Sequence, residues 1–475
     1  MKNTWIPLGA ACVLVIVVYL CHPQWSERPL VGAKASEAYY NLLVQGFRAG
    51  QLNLKKDVPP GLTQLADPYD PTANLPYRSA PYSLHDLSYF NGKLYLYWGI
   101  TPALSLFWPY VGLTGHYLDD RQAVKIFCII GFLAGAVLLY GLWRRYFPEV
   151  GAVVVAMCAL GLGLATGVLV LLARPEVYEV SISCGYMLTM LALAAIWRAW
   201  HEPEPRRRWG WLAGASLAYG LAVGARPSLL FGGVILLGPV VAAWRQRRPV
   251  WAMAMAAIGP IALITLCLMI YNSRRFGSPF EFGMRYQLAA TRQMTHRLFD
   301  LRYLWFNFRM YFLEPAQWGR EFPFAYEIAV PPLPPGHDGV EGAFGVLPNI
   351  PLVWLALAAP LSWRKRSGEA ETTLRGFVTV VAVLLAICAL SLCLFRGVVL
   401  RYEVEFLPAA VLLAVVGILG LERALVDRPA WRRVARLGWG LLLGFSVLFN
   451  LLACENAVEP HYYPGTVLRQ RGNAP

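Results

Sequence analysis

Long apolar runs alternate with short polar clusters along the whole chain. They lie near residues 5–21, 126–142, 150–173, 180–197, 209–225, 227–244, 250–271, 346–362, 376–395, 402–421 and 437–453. Most of these runs approach the roughly 20 residues that an α-helix needs to cross a bilayer, and charged side chains are scarce inside them. The pattern predicts an all-α polytopic membrane protein with about 11 transmembrane helices, in a range of about 10–13.

Composition and charge support this prediction. Of the 475 residues, 57% are hydrophobic and only 15% are charged, whereas soluble domains carry about 25% charged residues. The net charge of +14 would suit a nucleic-acid partner, but the arginines lie in short clusters between apolar runs. Such clusters orient membrane helices by staying on the cytoplasmic side. We therefore expect contact with membrane lipids and no nucleic-acid partner.

One further candidate run, 98–115 ("WGITPALSLFWPYVGLTG"), decides the topology. If it crosses the membrane, the cluster at Arg144-Arg145 and every later basic cluster face outward. If it does not cross, they all face the cytoplasm, as the charge bias requires. Prolines and glycines interrupt the run, which suits a segment that lies on or dips into the outer leaflet. The prediction is a cytoplasmic N-terminus and an extracytoplasmic C-terminus.

This topology predicts the organisation of the chain. The expected parts are a signal-anchor helix (1–21), a first long extracytoplasmic segment (22–125), a transmembrane bundle (126–271), a second long extracytoplasmic segment (272–345), C-terminal transmembrane helices (346–453) and an extracytoplasmic tail (454–475). No small-x-small cleavage site follows the first run, which favours an uncleaved anchor. The cytoplasmic loops are too short to hold a catalytic domain. We expect a multi-pass protein of the cytoplasmic (inner) membrane whose active site faces the extracytoplasmic side.

Four arginines lie at predicted outer corners, against the charge bias. They are Arg174 in "LLARPEVYEV", Arg226 in "VGARPSLL", and Arg396 and Arg401 in "FRGVVLRYEVEF". One interpretation is that they are snorkelling helix ends paired with carboxylates or lipid headgroups. The other is an anion site, because the guanidinium fork matches phosphate oxygens. Each Arg-Pro step would also place the arginine beside a helix N-terminus, where free N–H groups attract phosphate.

The first long segment holds an early carboxylate, Glu37, in "KASEAYYNLLVQGFRAGQLNL". Residues 34–54 are predicted to contain a short helix that ends at Gly50, with Ser36 as its N-cap. On one interpretation Glu37 is a first-turn acid stabilised by the helix dipole. On the other it is a general base at the membrane surface.

A second candidate base, Asp86, follows His85 in "YSLHDLSYFNGKLYLYWG", just before a predicted turn at Asn91-Gly92. An adjacent His-Asp pair is weak support for a catalytic pair, because neighbouring side chains seldom face each other. No Walker loop, no GxGxxG that opens a helix and no HExxH occurs in the sequence. We predict no cofactor and assign no metal ligands, and the question of a divalent metal stays open.

Four stretches carry a resemblance to a known fold: "SEAYYNLLVQGFRAGQL", "LHDLSYFNGKLYLYWGITPAL", "NSRRFGSPFEFGMRYQL" and "RYEVEFLPA". With the many spans and the outer arginines, they resemble the GT-C-fold membrane glycosyltransferases. These include the protein mannosyltransferases, the aminoarabinose lipid A transferases and, most similar, a largely uncharacterised bacterial group. The fold's first loop typically begins with an acidic pair. Here Ser36 takes the first position and only Glu37 fits, which favours a single base over a two-carboxylate or metal-assisted mechanism.

The resemblance implies an inverting transfer of a sugar from a polyprenyl-phosphate donor to a glycan, lipid or protein acceptor. The catalytic candidates are Glu37 and Asp86, and the lipid-phosphate ligands are Arg174, Arg226 and Arg401. The expected substrate-binding residues are Tyr40, His85, Glu176 and Tyr402. A transporter or flippase of a lipid-linked or anionic solute is the alternative. Transporters place ionisable residues near the bilayer midplane, whereas the middles of these runs are nearly free of charge. A scaffold role also stays open.

Overall fold

The computed structural model describes residues 5–22, 34–247, 249–293 and 297–458. Most of the predicted tail (454–475) and the first part of the first long segment therefore lie outside the described residues. Helices dominate, which confirms the all-α prediction. The strands that the structure describes form three two-stranded pairs: Ser88–Phe90 with Lys93–Tyr95, Gln317–Trp318 with Ala325–Tyr326, and Gly339–Glu341 with Gly397–Val399.

Within the described residues, seven helices are long and apolar enough to cross a membrane. They are Asp120–Tyr146, Val177–His201, Pro227–Arg245, Trp251–Phe276, Glu369–Leu394, Leu407–Ala424 and Pro429–Glu455. Shorter apolar helices are Ile6–Cys21, Ala103–Thr114, Ala152–Leu164 and Pro351–Ser362. The predicted run 209–225 lies in helix Pro205–Ala225, whose first turn carries three arginines. A multi-pass membrane protein is thus confirmed, while the count of about eleven spans is not.

The remaining helical elements are short, and many belong to the two long segments. They are Ala35–Glu37, Tyr39–Arg48, Pro60–Thr63, Leu75–Arg78, Val168–Ala173, Met284–Tyr286, Leu301–Tyr303, Leu304–Phe308, Arg309–Leu313, Val346–Asn349 and Leu400–Glu405. The start of helix Tyr39–Arg48 corrects one prediction. Its N-cap is Ala38, so Ser36 is not the N-cap. Gly50, with φ +73°, ends the helical stretch as expected. The predicted turn at Asn91-Gly92 joins the first strand pair, and both residues have positive φ.

The helices pack closely where glycine removes a side chain. Helix Leu407–Ala424 is buried along most of its length and lies against Pro351–Ser362. A Cβ atom at Gly417 would overlap the carbonyl oxygen of Leu355, and one at Gly420 would lie 2.8 Å from the backbone nitrogen of Ser362. Small residues allow such backbone contact between membrane helices. These glycines therefore set the distance between the two helices.

The predicted run 150–173 is broken in the structure. Helix Ala152–Leu164 ends, Gly167 adopts φ +74°, and helix Val168–Ala173 follows. The side-chain oxygen of Asn450 accepts a hydrogen bond from the Gly167 nitrogen at 3.1 Å. A break inside an apolar bundle needs such a partner, because no water is present to satisfy the backbone. After the break, the short helix Val168–Ala173 ends at Arg174, which is its C-cap residue.

The segment 98–115 forms only a short helix, Ala103–Thr114. Twelve helical residues extend about 18 Å, which is less than the roughly 30 Å of a hydrocarbon core. Its aromatic side chains pack on helix Tyr39–Arg48: the Tyr40 and Phe107 rings are 5.3 Å apart, and those of Phe47 and Trp108 are 5.7 Å apart. This arrangement suits the predicted juxtamembrane segment.

The orientation of the chain can be tested by thiol labelling of intact cells. In a background with alanine at the exposed Cys21 and Cys267, we expect Asp57→Cys and Arg320→Cys to react with a membrane-impermeant reagent. Arg206→Cys and Lys365→Cys should react only after permeabilisation, because basic clusters stay in the cytoplasm. All four native residues are exposed, so access is not limited by packing. Labelling at 206 in intact cells would contradict the predicted topology.

The two long segments join each other beside the ends of the helices. The Asp86 nitrogen donates to the Leu288 carbonyl at 3.0 Å, and the Leu288 nitrogen donates to the Leu87 carbonyl at 2.9 Å. The second long segment also forms the parallel pair Gly339–Glu341 with Gly397–Val399. The loop of Asp86 is thereby attached to the second long segment, and Glu341 to the residues just before helix Leu400–Glu405.

Candidate functional site

The three predicted phosphate ligands meet in the structure. Glu341 Oε1 lies 3.3 Å from Arg174 Nη1 and 2.7 Å from Arg401 Nη1. The Tyr402 ring faces the guanidinium groups of Arg226 and Arg401, with distances of 4.8 and 5.7 Å to its centroid. Arg174, Arg226 and Arg401 therefore form one group, which we call the arginine cluster.

The local chain path places each arginine differently. Arg226 directly precedes Pro227, the first residue of its helix, as predicted for an Arg-Pro corner. At Arg174 the prediction is corrected: the helix begins at Val177 with Glu176 as N-cap. The Glu176 side chain accepts the Glu179 backbone N–H in a capping box, and the Glu179 side chain accepts the Glu176 N–H. These N–H groups already have partners, so this helix start offers a phosphate less than the sequence suggested.

Each arginine of the cluster already faces carboxylates. Glu176 Oε1 lies 3.1 Å from Arg174 Nε, and Glu405 Oε1 lies 2.6 Å from Arg226 Nη2. Glu179 Oε1 lies 3.5 Å from Arg401 Nε. With Glu341, four carboxylates surround three guanidinium groups. Such pairing is also what the helix-end interpretation of these arginines requires.

The pairing keeps the two partly buried arginines, Arg226 and Arg401, charged. Burial lowers the pKa of Arg226, but Glu405 and the Tyr402 ring more than offset it, so the pKa is raised overall. Burial likewise lowers the pKa of Arg401, and Glu179 and Glu341 reverse the direction. The Arg401 Nε atom is buried and has no hydrogen-bond partner within the described ranges. The atom faces Glu179 at 3.5 Å, as an ion pair without a well-formed hydrogen bond.

Asp86 lies one side chain away from the arginine cluster. The Tyr178 hydroxyl donates a hydrogen bond to Asp86 Oδ2, and His85 Nε2 is 3.6 Å from the same oxygen. The Arg401 guanidinium is 5.0 Å from the centroid of the Tyr178 ring. Asp86 has φ +60°, a conformation that aspartate tolerates better than most residues. The tertiary structure therefore connects the predicted His85-Asp86 step to Arg401 through Tyr178.

Aromatic rings surround Asp86. The Trp98 ring stacks on Tyr39 at 5.8 Å and meets Tyr178 edge-on at 5.0 Å. The Tyr39 hydroxyl donates to the carbonyl oxygens of Ser83 and His85 at 2.9 and 3.2 Å. Burial and the Asp86 charge both raise the pKa of Tyr97. The loop that carries Asp86 is therefore held from several sides.

Tyr40 packs in the interior beneath the first long segment. It is fully buried, and its hydroxyl donates to the Gly99 carbonyl at 3.2 Å. A Cβ atom at Gly99 would overlap the carbonyl oxygens of Gly224 and Ala225, directly before Arg226. Glycine thus lets the first long segment touch the Arg226 corner. The structure places Tyr40 as a packing residue, with no open face toward a substrate.

Glu37 lies apart from these contacts. It is exposed at the end of the short helix Ala35–Glu37. Its charge acts on Lys56, whose pKa is lowered by burial, with Glu37 opposing the shift. Within the part of the chain that the structure describes, no hydrogen bond or ion pair joins the Glu37 carboxylate to Asp86 or to the arginine cluster. Its catalytic role stays a prediction.

An apolar cleft leads away from Arg226. It lies among helices Val177–His201, Pro227–Arg245, Glu369–Leu394 and Leu407–Ala424, and Arg226 and Glu405 are its charged residues. Its apolar lining includes Ile182, Met190, Leu193, Leu229, Leu384 and Pro408. The distance from Ile182 to Leu193 along the helix axis is about 16 Å. The Arg226–Glu405 ion pair thus lies at one end of a small, mostly apolar cleft, whose lining also includes Tyr186 and Thr189.

Sequence reasoning did not assign roles to three residues of this site: Tyr178, Glu341 and Glu405. Two of them, Tyr178 and Glu405, stand in stretches singled out around the arginines, "LLARPEVYEV" and "RYEVEF". Glu341, in "DGVEGAF", carried no signal, because its importance depends only on the pairing of two distant strands. No group of three or more His, Cys, Asp or Glu side chains in the described ranges could hold a metal ion.

Known proteins resemble this chain in structure only. No family model and no curated protein sequence matches it. The archaeal oligosaccharyltransferase AglB from Archaeoglobus fulgidus, in complex with an inhibitory peptide and a dolichol-phosphate, is 11% identical with a TM-score of 0.51; the match covers 100% of this chain and 58% of that chain. The apo form of the A. fulgidus enzyme is 13% identical with a TM-score of 0.51, covering 100% and 59%.

ArnT from Cupriavidus metallidurans bound to undecaprenyl phosphate is 13% identical with a TM-score of 0.46, and the match covers 96% of this chain and 76% of that chain. The chain spans less than two thirds of the oligosaccharyltransferase chains. The likeness to the oligosaccharyltransferase confirms the predicted GT-C-like fold. At this level of identity it shows the fold alone.

Proposed function

We propose that this protein is a glycosyltransferase that moves a sugar from a polyprenyl-phosphate donor to an acceptor hydroxyl. We place the reaction on the extracytoplasmic side of the cytoplasmic membrane. The observation that carries the proposal is the position of Arg226, a mostly buried cation paired with Glu405 where an apolar cleft begins. A ligand that satisfies both features has an anionic head and a long apolar tail. A lipid phosphate has this chemistry.

In this proposal the guanidinium groups of the arginine cluster hold the donor phosphate. The acceptor oxygen attacks the anomeric carbon, and the bond from that carbon to the phosphate oxygen breaks. The polyprenyl phosphate leaves with the bonding electron pair, and the arginines stabilise the charge that builds on it. Attack from the face opposite the phosphate inverts the anomeric carbon.

We assign Asp86 as the general base in preference to Glu37. Tyr178 fixes Asp86 Oδ2, which leaves Oδ1 to accept the proton of the acceptor hydroxyl. The contact between Tyr178 and Arg401 keeps this carboxylate near the phosphate ligands. The Tyr39, Trp98 and Tyr178 rings offer apolar faces of the kind that pack against sugar rings.

A transporter is less well supported. In each of the seven long helices, Asp, Glu, Lys and Arg occur only near the ends, and the middles lack them. A transporter of an anionic solute is expected to place ionisable residues near the midplane. Among the described residues, the buried charges Glu179, Arg396 and Glu403 lie instead near the two long segments, while Glu422, at the far end of helix Leu407–Ala424, pairs with Arg432 and Arg436.

A binding comparison tests the proposal. We expect the purified full-length protein in detergent to bind undecaprenyl phosphate at least roughly tenfold more tightly than undecaprenol, because charge-assisted hydrogen bonds to the phosphate are lost with the alcohol. Equilibrium binding of each lipid, with thermal stabilisation as a second readout, measures the difference. Equal affinity for the two lipids would contradict the proposal. Net movement of the lipid across sealed vesicles without sugar transfer would favour the transporter alternative.

A further inference from the structure

Glu341 is the contact between the second long segment and two arginines of the cluster. Its single oxygen Oε1 lies within 2.7 Å of Arg401 Nη1 and 3.3 Å of Arg174 Nη1. The two arginines come from chain segments more than 200 residues apart. One carboxylate oxygen therefore stands where a shared anion would bridge both guanidinium groups.

The burial of the partners is unequal. The side chain of Arg401 is 13% exposed, whereas that of Glu341 is 49% exposed. Arg401 is thus fixed in the protein, while Glu341 reaches it from the solvent side. A half-exposed carboxylate can rotate into water without leaving a buried charge, because water replaces its partners.

The backbone that carries Glu341 is held in place independently of the contact between Glu341 and the arginines. Strand Gly339–Glu341 is held by its pairing with Gly397–Val399, so the backbone stays in place when the side chain turns. Gly339 and Gly342, on either side, both have positive φ. The neighbouring ion pair of Asp338 and Arg396, at 2.6 Å, anchors the same strand independently of Glu341. Loss of the Glu341 contact therefore does not release the segment.

Local charge gives a reason for exchange. Three guanidinium groups already face four carboxylates, Glu176, Glu179, Glu341 and Glu405. A phosphate added to this arrangement would meet further repulsion at short range. Glu341 faces Arg174 together with Glu176, and it faces Arg401 together with Glu179. Its side chain is also the most exposed of the four carboxylates. Its departure would free donors on two arginines at once.

We propose that Glu341 is an internal substitute for the lipid phosphate, and that its carboxylate is exchanged for that phosphate when the lipid binds. This inference rests on the proposed function, since it assumes a lipid phosphate at the arginine cluster. After transfer, the returning carboxylate competes with the polyprenyl phosphate product and favours its release. Glu341 then sets the affinity of the site without contacting the sugar.

The test compares Glu341→Gln with the wild-type protein in equilibrium binding of undecaprenyl phosphate. Glutamine keeps the size and the acceptor oxygen but removes the competing charge. We expect the variant to bind the lipid roughly three- to tenfold more tightly, because the lipid-free protein no longer has the Glu341 ion pairs that the lipid must displace. This factor corresponds to the free energy of a partly exposed ion pair. The matched control is Glu281→Gln, which removes a carboxylate paired at 3.4 Å with Arg285 in the same long segment. The control should bind as the wild type does.

A second measurement uses the wild-type protein and does not depend on a variant that folds. Carbodiimide coupling of an amine to Glu341, followed by mass spectrometry, should increase when undecaprenyl phosphate is added and not when undecaprenol is added. Coupling at Glu281 should stay constant in both cases.

The outcomes separate the two ideas. If the wild type prefers undecaprenyl phosphate but Glu341→Gln binds it equally or more weakly, Glu341 is a structural bridge or a direct ligand, and the exchange is wrong while the proposed function stands. Unchanged carbodiimide reactivity on lipid binding would overturn the exchange in the same way. If the wild type shows no preference for the phosphate, the proposed function itself fails, and the exchange fails with it.

Discussion

Asp86→Asn is expected to lower the rate of sugar transfer by roughly 10²–10⁴-fold, the usual contribution of a general base. Asparagine keeps the size of the side chain and an oxygen for the Tyr178 hydroxyl, but it cannot take the proton of the acceptor. Binding of undecaprenyl phosphate should change little, because the described contacts link Asp86 to Arg401 indirectly, through the Tyr178 ring. Transfer rates and lipid binding, measured on the same preparation, check both parts.

The matched comparison is Glu37→Gln, the same loss of a carboxylate charge in the same long segment. Glu37 is exposed and makes no described hydrogen bond or ion pair with the site, so its variant should keep near-normal transfer. If Glu37→Gln lost the activity and Asp86→Asn kept it, the roles assigned to the two residues would be reversed. A loss in neither variant would remove the single-base mechanism.

Arg226→Lys is expected to weaken binding of undecaprenyl phosphate by roughly 10–100-fold, the scale of one or two charge-assisted hydrogen bonds. Lysine keeps the positive charge and can still pair with Glu405, so the buried carboxylate is not left alone. It loses the planar fork that matches phosphate oxygens. The affinity, read beside the melting temperature, separates lost binding from lost folding.

Arg285→Lys provides the control, because Arg285 pairs with Glu281 at 3.4 Å on the surface and is 71% exposed. It should bind the lipid as the wild type does. Arg174→Lys should resemble Arg226→Lys in direction, with a smaller effect because Arg174 is about one-third exposed. Wild-type affinity in both Arg226→Lys and Arg174→Lys would mean that these arginines are only charged helix ends paired with carboxylates.

The corner that begins at Arg174 illustrates where the sequence was informative and where it was not. Its charge against the positive-inside bias marked it as unusual, and the structure does bring Arg174, Arg226 and Arg401 together. Helix-start rules placed the helix at Pro175, whereas it begins at Val177 because Glu176 and Glu179 form a capping box. The local pattern allowed both starts, and the side-chain hydrogen bonds selected one.

Asp86 shows that the sequence alone also could not identify the residues of the site. The dipeptide His85-Asp86 alone could not be distinguished from a turn, since adjacent residues seldom cooperate. Its importance comes from Tyr178, 92 residues away in the chain. Glu37 had the stronger support from resemblance, but the structure leaves it outside the described network of contacts.

The sequence by itself determined that the chain is a helical, multi-pass membrane protein with its polar chemistry at the helix ends. Runs of bilayer length without charges in their middles permit few other structures, because every backbone group in hydrocarbon must be hydrogen-bonded within the chain. Only the tertiary structure decided which carboxylate faces which arginine. Glu341 meets Arg174 and Arg401 beside a strand pairing that joins the second long segment to residues Gly397–Val399. Such contacts depend on helix packing and strand register over long separations, and no local periodicity encodes them.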